Sequence, residues 1–167
     1  MEILYTFIII SILGTLLHFT YNLSNKNIAF AIFSAVNESV WEHIKLLLTP
    51  IFLVSTIKYV LQNQNNYFIR LFLMLITSIL LIIIFEYLIT KYMKKYKAIF
   101  YILSFYVTAF VVALIEYIFI NIKPLYFLNK ISIFLCLIMF IMYLTFTIFP
   151  PKCRIFKDPL TGKYGIF

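Results

Sequence analysis

The chain has 167 residues, 64% of them hydrophobic and 12% charged, with a mean hydropathy of +1.03; this excludes a soluble globular domain and marks a polytopic membrane protein. One span takes about 20 residues, so the length allows a single compact bundle and not two domains. The net charge of +8 does not point to nucleic acid, because the basic residues fall at span ends and in short connectors, where topogenic lysines belong.

Five apolar runs are long enough to cross a bilayer: 3–19, 40–60, 68–90, 98–120 and 127–149. They predict an all-α bundle of five transmembrane helices. Met1-Glu2-Ile3-Leu4 lacks a basic lead and no small-residue cleavage site follows, so the first run reads as a retained span rather than a signal peptide. Residues 28–36 are apolar but too short to span, which suggests an interfacial or re-entrant segment before the second helix. Short polar connectors follow the first four spans, among them Gln62-Asn63-Gln64-Asn65-Asn66, and Pro150-Pro151 stops the fifth. The expected organisation is a transmembrane domain over 1–150 and a tail over 151–167. Cys136 lies in an apolar run and Cys153 in the tail, so the two are not expected to pair.

Lys91, Lys94, Lys95 and Lys97 mark the third connector, and Lys152, Arg154, Lys157 and Lys163 the tail. In a five-span chain both lie on one side, while only Lys58, Arg70, Lys123 and Lys130 approach the other. The positive-inside rule then places the N-terminus outside and the C-terminus in the cytoplasm. The richness in Ile, Phe, Tyr, Asn and Lys suits an AT-rich bacterial genome and hence a bacterial plasma membrane. This topology gathers His18, Glu38, Glu42, His43, Lys45, Glu86 and Asp158 at the cytoplasmic leaflet; Glu116 is left toward the outer one.

Asn37-Glu38-Ser39-Val40-Trp41-Glu42-His43-Ile44-Lys45 is the polar opening of an apolar helix. Steps of four, three and four put Glu38, Glu42, Lys45 and Thr49 on one stripe, with His43 about 100° round from Glu42. Pro50 ends the stripe and frees the carbonyl of Leu46, which suggests a kink and a polar notch. Structural readings exist for each residue. Ser39 and Glu42 match a capping box, Glu42 and Lys45 are spaced as a helical ion pair, Trp41 suits an interfacial anchor and His18 an interfacial histidine. An ionisable side chain at a span centre costs about 2.5–3.5 kcal/mol, and less near the interface. Several converging at one leaflet therefore favour a functional pocket.

Three chemistries suit these residues. Carboxylates and imidazoles bind divalent cations, so His18, Glu38, Glu42, His43 and Glu86 are candidate ligands for zinc or a similar metal that activates water, although no His-Glu-x-x-His signature occurs. Glu42 and His43, with Lys45, form an alternative metal-free catalytic group. Buried carboxylates and histidines also build proton relays in transporters. Transporter sites usually lie at mid-bilayer, whereas this cluster hugs one interface, which favours an enzyme acting on lipid headgroups or a lipid-linked substrate. Asn37 and Trp41, with Asp158 and Tyr164 of the tail, are the candidate substrate contacts. No Gly-x-Ser-x-Gly elbow, P-loop or dinucleotide fingerprint is present. In the tail, Asp158-Pro159 and Thr161-Gly162 are turn signals between aromatics, consistent with a hairpin lid or with a basic segment that holds anionic headgroups.

The Asn37–Lys45 motif, Pro150-Pro151 and Phe156-Lys157-Asp158-Pro159-Leu160-Thr161-Gly162-Lys163-Tyr164-Gly165, together with Leu17-His18-Phe19 and Phe33-Ser34, resemble a family of small uncharacterised bacterial integral membrane proteins with a domain of unknown function. The resemblance covers essentially the whole chain and implies a membrane-embedded bundle without an assigned activity. The leading expectation is a membrane-embedded, metal-dependent hydrolase with membrane lipids as partners. The alternatives are a proton- or ion-coupled transporter or channel, for which a homo-oligomer is expected because five helices make a thin wall, and a non-catalytic partner subunit.

Overall fold

The computed structural model describes residues 1–62, 65–93 and 97–166. Lys94 and Lys95, used above for orientation, and Asn63 and Gln64 of the second connector lie outside the described residues. Five helices are long and apolar enough to cross a membrane: α1 Glu2–Leu23, α3 Val40–Gln62, α4 Tyr67–Tyr92, α5 Lys97–Asn121 and α6 Tyr126–Thr145. A short α2, Ile28–Ala31, precedes α3, and a 3-10 turn, Arg154–Phe156, follows α6. The described residues contain no strand, so the fold is the all-α bundle expected from the sequence.

Two boundaries differ from the apolar runs for physical reasons. The fifth span stops at Thr145 rather than 149: the N–H groups of Ile148 and Phe149 both return to the carbonyl of Thr145, at 3.1 and 2.8 Å. Pro150 disfavours the helical conformation in the residue before it, so apolar residues there belong to a turn. The segment 28–36 is helical for four residues only. Beyond Ala31 its backbone turns, and the carbonyls of Ala31 and Phe33 accept side-chain hydrogen bonds from α3.

Each of α3 and α5 packs on both α1 and α4, so these four helices close a ring, and α6 packs on α4. The most enclosed helix is α3, with 56% of its apolar window buried against 22–33% for the others. Pro50 sits inside α3 without interrupting it. The Leu46 carbonyl, which Pro50 cannot bond, meets Gly14 of α1: a Cβ added there would fall 2.5 Å from that oxygen and 2.5 Å from the Phe105 ring. Glycine therefore permits the close approach of α1 to α3.

The tail folds back. Lys157 and Tyr164 form an antiparallel bridge, Asp158 N–H donates to Lys163 O at 2.9 Å and Gly162 N–H to Asp158 O at 2.9 Å. Gly162 turns the chain at φ +73°, a conformation that costs other residues more. Phe156 is buried against Trp41 and Phe146, each with ring centroids 5.2 Å away.

Candidate functional site

The polar opening of α3 begins with a cap divided between two side chains. Ser39 Oγ accepts the Glu42 N–H at 3.4 Å, one half of the expected capping box. The reciprocal half is taken over by Asn37, whose Oδ1 accepts the Ser39 N–H at 2.9 Å. The Glu42 carboxylate is thereby released, and its Oε2 accepts from the Val36 N–H at 2.9 Å and from Lys45 at 2.8 Å.

Lys45 is 0% exposed, and its three ammonium donors are all engaged. They reach Glu42 Oε2, the Ala31 carbonyl at 2.8 Å and the Thr147 hydroxyl at 2.7 Å. One turn further, Thr49 bonds both the Phe33 carbonyl and the Tyr143 hydroxyl at 2.8 Å. The stripe read from the sequence is thus a seam that joins the segment after α2, the head of α3, and α6 with the turn beyond it. A buried ion pair this well satisfied adds little net stability over an apolar pair, but losing one partner strands the other charge.

Beside this sealed pair lies an accessible group. Glu38 Oε2 stands 3.3 Å from His43 Nε2, with the two side chains 46% and 37% exposed. His43 Nδ1 lies 3.1 Å from the Ser39 carbonyl, and the His18 ring stacks on His43 at 5.8 Å and 21°. A carbonyl and a carboxylate only accept, so both imidazole nitrogens face acceptors, and the Glu38–His43 pair is built to hold a proton between its members. The hydrogen bond from His43 holds the Glu38 carboxyl below the usual carboxylate range, against the opposing effect of partial burial.

The tail roofs this region. Asn37 Nδ2 donates to Gly165 O at 3.0 Å. Burial pushes the Asp158 carboxyl up, but hydrogen bonds from the Thr161 hydroxyl and the N–H groups of Leu160, Thr161 and Glu38 outweigh it and hold its pKa below the usual range. Trp41 is buried under Phe156, with its indole N–H unpartnered among the described residues, and Tyr164 is half-buried against the core. A family profile matches residues 2–166 of the chain. The protein belongs to DUF6512, a family of unknown function. No curated protein and no solved structure matches it.

In this DUF6512 chain the residues expected to share one site fall into four sets. Glu38, His43 and His18 form the accessible group. Glu42 and Lys45 stand next to it, sealed against solvent. Glu86 is apart, its carboxylate facing the Tyr101 hydroxyl of α5. Among the described residues no group of three or more His, Cys, Asp or Glu is placed to hold a metal ion. Asn37, Trp41, Asp158 and Tyr164 knit the tail to the head of α3.

Sequence reasoning did not find Thr147 or Tyr143, the partners of Lys45 and Thr49; a polar residue on α6 or just past it, at the same end as the Glu42 stripe, was the available signal. It also left Glu116 unassigned. At the end of the bundle away from the tail, Glu116 Oε2 accepts from Lys58 at 2.6 Å and from the Thr6 hydroxyl. Alternating spans bring the start of α1 and the ends of α3 and α5 together there, so the pairing was open to inspection.

Proposed function

We propose that this DUF6512 protein is an integral membrane protein whose tail lies on the cytoplasmic side. In this reading Glu38, His43 and His18 form a metal-free acid–base site that acts by hydrolysis on the polar end of a membrane lipid or lipid-linked substrate. The observation that carries the reading is His43 held between two acceptors, with Glu38 half exposed just before the first turn of α3. Glu38 takes a proton from an attacking water, His43 gives its Nε2–H proton to the leaving group, and the proton on Glu38 then reloads Nε2. The Ser39 carbonyl fixes the ring through Nδ1. Lys45 and Glu42 act through position: they anchor the helix head that carries His43.

The test is product formation in vesicles containing the purified protein and either phospholipid or an isoprenoid-linked phosphate lipid, read by mass spectrometry. Glu38→Gln and His43→Ala should each lower turnover by about 10²-fold or more, the range of general acid–base catalysis, with the thermal transition retained. Turnover indifferent to both variants, or no product from either lipid, overturns the reading. Elemental analysis should find no stoichiometric transition metal; one zinc per chain that is lost in Glu38→Gln would restore the divalent-ion chemistry.

A proton-coupled transporter is the second reading. It is favoured by α3, the most enclosed helix, which carries ion pairs toward both ends, Glu42–Lys45 and Lys58–Glu116. Proton flux into liposomes, abolished in Glu116→Gln, would select it over hydrolysis.

A further inference from the structure

Arg70, on the first turn of α4, is 0% exposed. All three of its guanidinium nitrogens, Nε, Nη1 and Nη2, have no hydrogen-bond partner among the described residues, and neither does Oε1 of Glu116. Glu116 makes no ion pair with Arg70 among the described residues, and its Oε2 is committed to Lys58 and Thr6. Lys58 takes the carboxylate, Arg70 is left without one, and the three side chains together carry a surplus charge of one. An idle guanidinium enclosed in an apolar bundle is costly and calls for a counter-ion.

We propose that Lys58, Arg70 and Glu116 form an anion site that takes one monoanionic oxyanion, of the carboxylate or phosphodiester class, on the Arg70 fork. A single negative charge neutralises the surplus while Glu116 stays paired with Lys58. The planar fork, with five N–H donors, matches the two oxygens of such a group. The depth is suitable: Arg70 is three residues into α4, about 5 Å below the helix end at 1.5 Å per residue, near the level of headgroups. A cleft of about 210 Å³ opens at the same end, lined among others by Tyr59, Asn66, Tyr67, Tyr126 and Asn129. Tyr67 belongs to both features, since it lines the cleft and stands on the same first turn of α4 as Arg70. The Lys58 side chain is 18% exposed, which makes the group reachable. This site lies at the opposite end of the bundle from the Glu38–His43 pair and does not depend on it.

The experiment is thermal unfolding of the full chain in an uncharged detergent at constant ionic strength, with acetate, phosphatidylglycerol or phosphatidylcholine added. Saturable stabilisation by acetate, of about 3–6 °C at ten times Kd, assigns a free carboxylate. Stabilisation by phosphatidylglycerol but not acetate or phosphatidylcholine assigns a lipid phosphodiester with a net negative charge. Arg70→Gln should abolish the response, Lys58→Gln should weaken it and Glu116→Gln, which removes the competing carboxylate, should strengthen it severalfold. Should Arg70→Gln fail to fold, the opposite responses of the other two variants carry the test. No stabilisation by any of the anions, or equal responses in wild type, Lys58→Gln and Glu116→Gln, overturns the proposal.

Discussion

Lys45 stands 2.8 Å from Glu42, one turn earlier on the same helix, with both side chains at most 2% exposed. Replacing the lysine by an apolar residue of similar length strands a carboxylate among apolar groups. Lys45→Met should therefore cost about 3–5 kcal/mol. The double variant Glu42→Leu/Lys45→Met should recover most of that loss. Thermal unfolding of the four members of this cycle is the check; equal loss in the single and double variants would mean that packing, not charge, governs the site.

Gly14→Ala sets two small effects against each other. Alanine gains about 1 kcal/mol of helix propensity over glycine, but its Cβ would lie 2.5 Å from the backbone oxygen of Leu46, which cannot swing aside. Overpacking of this kind costs about 1–3 kcal/mol, so a net destabilisation is expected. A higher melting temperature in Gly14→Ala would show that α1 and α3 separate at little cost.

Asp158→Ala removes the acceptor for the N–H groups of Leu160 and Thr161 and for the Thr161 hydroxyl. The local loss should be about 1–3 kcal/mol, enough to loosen the tail without unfolding the spans. Trp41 is the single tryptophan of the chain and lies against Phe156, so its emission should shift to the red in this variant. Unchanged emission would mean that the aromatic contact alone holds the tail.

The pH dependence of the same contact follows from two depressed carboxyls. The ordinary values are 4.5 for Glu38 and 3.8 for Asp158, and both groups lie lower in the folded protein. Their contribution is complete above the ordinary values and is lost as the pH falls through the folded ones. Trp41 emission should thus stay constant from pH 7 to about pH 5 and shift only under more acidic conditions. A transition centred near neutrality would contradict this.

Cys153 is exposed and Cys136 buried, which supplies a probe of the proposed orientation. A membrane-impermeant thiol reagent should leave Cys153 unlabelled in intact cells and modify it once the inner face is opened. Labelling in intact cells would reverse the orientation and move the Glu38–His43 group to the outside.

The five spans were legible because an 18-residue apolar window is a one-dimensional property, and each recurs in the structure within a few residues. The head of α3 was legible as a cluster for the same reason: Glu38, Glu42 and His43 are neighbours in sequence. What hydropathy does not contain is the rotation of each helix about its axis. Glu86 and His18 come to the same end of the bundle, yet Glu86 turns to Tyr101 while His18 stacks on His43. The backbone carbonyls of Ala31 and Phe33 were equally invisible, since any residue supplies one and only the turn after α2 aims them at Lys45 and Thr49. Arg70 read as a topogenic charge, and its burial follows from α4 being packed by α3, α5 and α6.

The seam at Lys45 also imposes an order on biosynthesis. Its ammonium bonds Thr147, 102 positions further on, and Asn37 bonds Gly165, 128 positions on. At an elongation rate of about 5–20 residues per second, α3 waits several seconds in the translocon or bilayer before these partners exist. During that interval its head holds a charged pair closed only by the turn after α2, so the nascent second span must be sheltered, by α1 or by the insertion machinery, until α6 arrives.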